Sequence, residues 1–177
     1  MSTLIASVLP NPRRVVTGHN EVGKAVLSMD GPLEVQSAAD GTIRVANAWT
    51  TNSVPAQDNN SDIDGANRTV PGSGLVLPNG LNHRFTDLAP GATTAMHRTS
   101  SVDYNILLSG RVVLIVDDDV RTEIEPGTVV IQRGTMHAWH NPSTTEWARW
   151  ISVLIHAEPA IVNGEALEEV WKPGTAE

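Results

Sequence analysis

An all-β fold, an antiparallel sandwich or barrel, is predicted by two features of the chain. Turn-forming Gly, Pro, Asn and Asp recur about every eight to twelve residues, and the stretches between them are rich in Val, Ile, Thr and Trp. A third feature sets the scale. At 177 residues, 40% hydrophobic and 18% charged, the chain is long and apolar enough for one domain with a sizeable core.

Taken in order, the predicted strands are Arg13 to Gly18, Lys24 to Ser28, Thr42 to Thr50, His83 to Leu88, Thr93 to His97, Asp103 to Ser109, Arg111 to Val116, Val120 to Ile124, Thr128 to Gln132, His137 to Asn141 and Trp147 to His156. Asp117, Asp118 and Asp119 fall between two of them and read as the solvated turn of a hairpin, not as an ion site. Residues 51–81 are polar and aperiodic, a loop or lid whose Leu75, Val76 and Leu77 are placed to dock on an apolar mouth. Within it Asn60, Asp62, Asp64 and Gly65 match the opening of a calcium loop, but Pro71 stands where the bidentate Glu is required. One stretch, Gly164 to Trp171, reads as a short helix because Ala166, Leu167, Val170 and Trp171 fall near one helical face. The whole divides into N-terminal strands over 1–50, the loop or lid over 51–81, a barrel core over 82–157 and a tail or short helix over 158–177.

Composition also excludes partners. A net charge of -8 repels phosphate backbones and anionic lipid, so neither nucleic acid nor a membrane is expected. The absence of cysteine removes disulfides, thiolate metal sites and thiol nucleophiles together. The apolar run before Pro10 is too short for a signal sequence or a span, so a cytoplasmic location is expected.

Chemistry falls to the histidines and carboxylates. Residues two apart on a strand share a face, which sets His97 with Thr99 and His137 with Trp139 and Asn141, and turns His140 the other way. A turn at Ser100 and Ser101 brings Asp103 back toward His97, and Tyr104 faces away. His83, His140 and His156 read as packing or surface residues, and His19 as part of a turn.

These residues resemble the cupin superfamily. Gly91, His97, Thr99, Asp103 and Gly110 have the spacing of its first motif, which carries His, His and Glu at the three middle positions. Pro126-Gly127, the apolar run to Ile131, Gly134, His137 and Asn141 resemble its second. The resemblance is to a small single-domain protein, a monocupin, with a degenerate metal-binding motif. It implies a cupin-like antiparallel β-barrel (jelly roll) with a long polar insertion and a short C-terminal helix. It also implies a homodimer, since such barrels often pair by exchanging N-terminal strands.

The family builds its metal site from the positions held here by His97, Thr99, Asp103 and His137. Thr99 and Asp103 depart from that pattern, leaving His97, Asp103 and His137 as a two-His, one-carboxylate set that suits Fe and accepts Zn, Mn or Ni. The same three residues also serve without metal, as an imidazole and carboxylate acid-base group. Thr99, Trp139, Asn105 and Arg98 are the candidate substrate contacts, with Trp139 stacking on a flat molecule and Arg98 or Arg133 meeting an anion at the rim. The first expectation is therefore a lyase or isomerase (dehydration, decarboxylation, cyclisation) acting on a small carbonyl-containing or polyketide-like metabolite. An Fe(II)-dependent dioxygenase follows, and a non-catalytic binding or sensor barrel is the third.

Overall fold

A computed structural model describes residues 8–172, so most of the apolar run before Pro10 lies outside the described residues. Each of the eleven expected segments contains a strand. The strands are β1 (Arg13–His19), β2 (Ala25–Pro32), β3 (Gln36–Ala38), β4 (Ile43–Thr51), β5 (Leu81–Leu88), β6 (Met96–Arg98), β7 (Ser101–Ser109), β8 (Val112–Val116), β9 (Arg121–Ile124), β10 (Val129–Arg133), β11 (His137–His140), β12 (Ala148–His156), β13 (Ile161–Val162), β14 (Glu165–Ala166) and β15 (Val170–Lys172). Every pairing among them is antiparallel.

Two sheets face each other. One runs β10-β7-β12-β5-β4-β3 and the other β15-β6-β11-β8-β9. Leu88, Leu107, Ala148 and Trp150 from the first meet Val112, Ile124 and Trp139 from the second in one buried cluster, so the core lies between the layers. Strand alternation decides what enters it. On β7, Ser101, Asp103, Asn105 and Leu107 are buried, and Tyr104 and Leu108 stand on the outer face. Gly110 turns that strand into β8 with φ +75°, where an added Cβ would lie 2.8 Å from the Ala148 backbone.

The acidic triplet forms the exposed turn between β8 and β9, with Asp118 and Asp119 both at φ 57°. The polar insertion is pinned rather than periodic. Asp58 accepts from Trp49 Nε1 at 3.0 Å and Thr51 Oγ1 at 2.6 Å and pairs with Arg68, and Asp64 pairs with Arg14. Asp64 thus serves an arginine and the Ala66 amide, in keeping with the reading against calcium.

The C-terminal helix is not formed, which corrects that part of the expected fold. Asn163 and Gly164 sit at φ 53° and 84° between β13 and β14, a two-residue hairpin of the type that Asn-Gly favours. Val170 and Trp171 then join the barrel as β15 beside β6. An eight-residue stretch cannot offset helix nucleation alone, whereas an open sheet edge supplies ready partners. No helix among the described residues is long and apolar enough to cross a membrane.

Candidate active site inside the barrel

Between the sheets lies a cavity of about 120 Å³. The six-stranded sheet contributes Arg84 and Thr86 from β5, Asp103 and Asn105 from β7, and Ser152 and Leu154 from β12. From the facing sheet come His97, His137, Trp139 and Trp171, and Leu75 enters from the insertion. A larger groove of about 360 Å³ lies outside the barrel near Ser73, His156 and Glu169. The inner cavity is the better candidate because it alone gathers groups whose proton affinities burial has moved.

His97 and His137 come together because β6 and β11 pair in a register that sets one opposite the other. Their ring centroids are 4.2 Å apart. The Nδ1 of His97 donates to the Ala95 carbonyl at 2.9 Å, and that of His137 to the Thr135 carbonyl at 3.0 Å. A carbonyl only accepts, so both rings carry their proton on Nδ1 and keep a lone pair on Nε2. Burial lowers the pKa of His97, helped by the nearby Arg84 charge. Burial and the His97 neighbour push His137 down to about 4. Both imidazoles are therefore neutral near pH 7.

Asp103 lies in the same cavity but bonds to neither ring. Its Oδ1 accepts from Ser101 Oγ at 2.6 Å, and Thr99 Oγ1 stands 2.8 Å from that hydroxyl. Ser101 has one proton to give, so the chain runs from Thr99 through Ser101 to the carboxylate. Burial raises Asp103 to about 6, with the Ser101 bond opposing. Backbone carbonyls fix the imidazole tautomers, and Asp103 takes no part in that.

The remaining candidates divide. Trp139 lines the cavity, edge-on to His137 with centroids 6.0 Å apart and 5.7 Å from Trp150. Asn105 also lines it, accepting from Ser152 Oγ at 2.6 Å and donating to Gln132 at 3.2 Å. Thr99 is buried behind the wall and serves Asp103 through Ser101. Arg98 points outward, its Nε on the Glu168 carbonyl at 2.9 Å, and Arg133 is exposed. Asn141 is fully buried as a clamp, donating to Leu88 and Glu146 carbonyls at 3.0 and 2.8 Å.

Of the lining residues that escaped the sequence reading, two bear most on the chemistry. Arg84 projects from β5 into the cavity, and its signal was a charged residue inside an otherwise strand-like run. Trp171 faces His97 at 4.8 Å because β15 places the two opposite each other. Helical periodicity concealed it.

The cupin pattern implies a bound metal, and the donors present meet that demand in part. Two neutral Nε2 atoms suit a divalent ion. Yet among the described residues no three His, Asp or Glu side chains converge closely enough to hold one. Thr99 supplies no imidazole, and Asp103 is tied to Ser101. The described side chains thus do not make a three-ligand site.

A family model described as a cupin domain matches residues 84–154. The chain is 32% identical over 162 residues to Phomopsin biosynthesis cluster protein D of Diaporthe leptostromiformis, covering 90% of this chain and 86% of that protein. It is 31% identical over 173 residues to Oryzines biosynthesis cluster protein J of Aspergillus oryzae, covering 96% of each. A third relative, the cupin-domain-containing oxidoreductase srdB of Neurospora crassa, is 32% identical over 162 residues, 90% of this chain and 81% of that one.

Proposed function

This chain belongs to the cupin family, and we propose from that premise that it is a small-molecule enzyme of a biosynthetic pathway, moving protons on a carbonyl-containing metabolite held inside the barrel. The observation that carries the reading is the pairing, in one cavity, of a carboxylate raised to about 6 with two imidazoles kept neutral. Asp103 is ionised above that value and acts as the base, taking a proton from a carbon beside the substrate carbonyl. The Nε2 lone pairs of His97 and His137 accept hydrogen bonds from substrate hydroxyls and orient them. Return of the proton to another atom gives an isomer, and loss of a hydroxyl together with that proton, as water, gives a dehydrated product. Trp139 and Trp171 wall the flat body of the substrate.

The test is deuterium incorporation from D2O into a panel of β-keto esters and β-diketones, read by proton NMR. Exchange above the buffer rate that falls at least a hundredfold in Asp103→Asn supports the reading, and equal exchange by both proteins contradicts it.

Three relatives, two of Neurospora crassa and one of Aspergillus ruber, are cupin-domain-containing oxidoreductases, which favours a second reading, oxidative chemistry of the Fe(II)-dependent type. It requires a third ligand beyond His97 and His137. Near-stoichiometric iron in protein purified without chelator, with activity lost on its removal, would favour it over the first. We also propose a homodimer, since a second copy would cover Tyr104, Leu108, Val129 and Ile131 on the outer sheet face. Light scattering at micromolar concentration should read twice the chain mass, and a single-chain mass would contradict it.

A further inference from the structure

We propose that Arg84 is the anchor for a carboxylate, so that the molecule this cavity takes is a small organic acid with a flat apolar body. The inference deepens the preceding reading and rests on the cavity being the substrate site.

The reason is an unbalanced charge. Arg84 sits in the middle of β5, with Asn47 and Ser152 as its register partners on the strands to either side. Its Nη1 donates to the Gly74 carbonyl at 3.2 Å, and its Nε is shut off from solvent with no partner. No carboxylate among the described residues pairs with it. The other arginines held largely inside the protein all have one: Arg14 has Asp64, Arg68 has Asp58, and Arg44 and Arg149 share Asp87. Asp103 lines the same cavity, yet its recorded bond is to Ser101.

A guanidinium in this position carries a desolvation cost that only a counter-charge offsets. Burial pulls its pKa down to about 10, which still leaves it a cation near neutral pH. Its planar fork of donors matches a carboxylate in two parallel bonds, and that pairing is stronger and more directional than one neutral hydrogen bond. A phosphate is a poorer match, because the lining contains no second cation to meet a dianion. The rest of the lining describes the body of the ligand. Trp139, Trp150 and Trp171 offer ring faces, and Leu154 and Leu75 offer aliphatic contact. The acid group is thereby held on the β5 wall, opposite the imidazole pair on the facing sheet.

The experiment compares benzoate with benzamide, which have nearly the same shape and differ in charge. Binding to the full chain at pH 7.5 is followed by tryptophan fluorescence and by the shift in Tm, with no turnover required. Wild type should bind benzoate at least tenfold more tightly than benzamide. Arg84→Gln should lose about tenfold or more for benzoate and little for benzamide, and Arg84→Lys should recover part of the loss. The readout needs no turnover, so absence of deuterium exchange in the preceding test leaves a positive benzoate result standing. Equal binding of the two probes by wild type, or no benzoate binding up to about 20 mM, overturns the proposal without recourse to any variant. Undiminished benzoate binding by folded Arg84→Gln overturns it as well.

Discussion

The imidazoles of His97 and His137 stand 4.2 Å apart on paired strands, each ring held by a backbone carbonyl through Nδ1. That relationship makes them two adjacent lone pairs instead of a charged pair. Two cations at this separation would repel strongly in a cavity with few compensating groups, so neutrality is the only state both can share near pH 7.

Activity should follow the carboxylate. Asp103 must be ionised to take a proton, and burial raises it to about 6. The rate at low substrate is expected to climb as pH rises through about 6 and to level off above about 7. A profile of kcat/KM from pH 4.5 to 8.5, with circular dichroism confirming the fold at each point, checks this. A limb at the ordinary aspartate value would show that the side chain is solvated.

Stability toward acid should depend on His137. Its folded pKa is depressed to about 4 from 6.5, so the unfolded chain takes up a proton between those values and the folded one does not. Stability from this group is therefore whole above about 6.5 and is lost as pH falls toward 4. Asp103 has the opposite sign: its folded pKa is raised, and it gains stability as pH falls through about 6. The His137→Gln variant isolates the first effect. Between pH 7 and pH 5 wild type should lose roughly 2 kcal/mol more than the variant in urea titrations. Parallel losses would place the ring in water.

Removing the Trp171 ring should open the site. The side chain is 55% exposed yet lies 4.8 Å from His97, at the edge of the five-stranded sheet. Trp171→Ala is expected to cost on the order of 1 kcal/mol in stability, because only part of the ring is buried. The pKa of His97 should rise toward its ordinary value as water gains access, which NMR titration of the imidazole protons would show. An unmoved His97 would mean that other groups close the cavity.

The parts of this molecule legible in sequence are those fixed by short spacing. Strand alternation alone sets Asp103 inward and Tyr104 outward, and the motif distances place His97 and His137 on neighbouring strands. Arg84 was not legible, because a strand pattern does not say which face of β5 meets the cavity until its neighbours β4 and β12 are known. Trp171 was misread for a different reason. Its segment satisfies a helical face, and only the Asn163-Gly164 turn and the free edge of β6 decide for strand. Asp103 was expected beside an imidazole and instead accepts from Ser101, a hydroxyl two residues away on the same face of β7, while the rings bond to the Ala95 and Thr135 carbonyls.

The arrangement of the two imidazoles can be read directly in solution. In two-dimensional 15N NMR of the labelled full chain at pH 7, His97 and His137 should both show protonated Nδ1 and unprotonated Nε2; His137 should keep that signature down to about pH 5, and His97 should take up its proton only below the ordinary imidazole value. A protonated Nε2 on either ring at neutral pH, or an ordinary titration near 6.5 for both, would contradict the account.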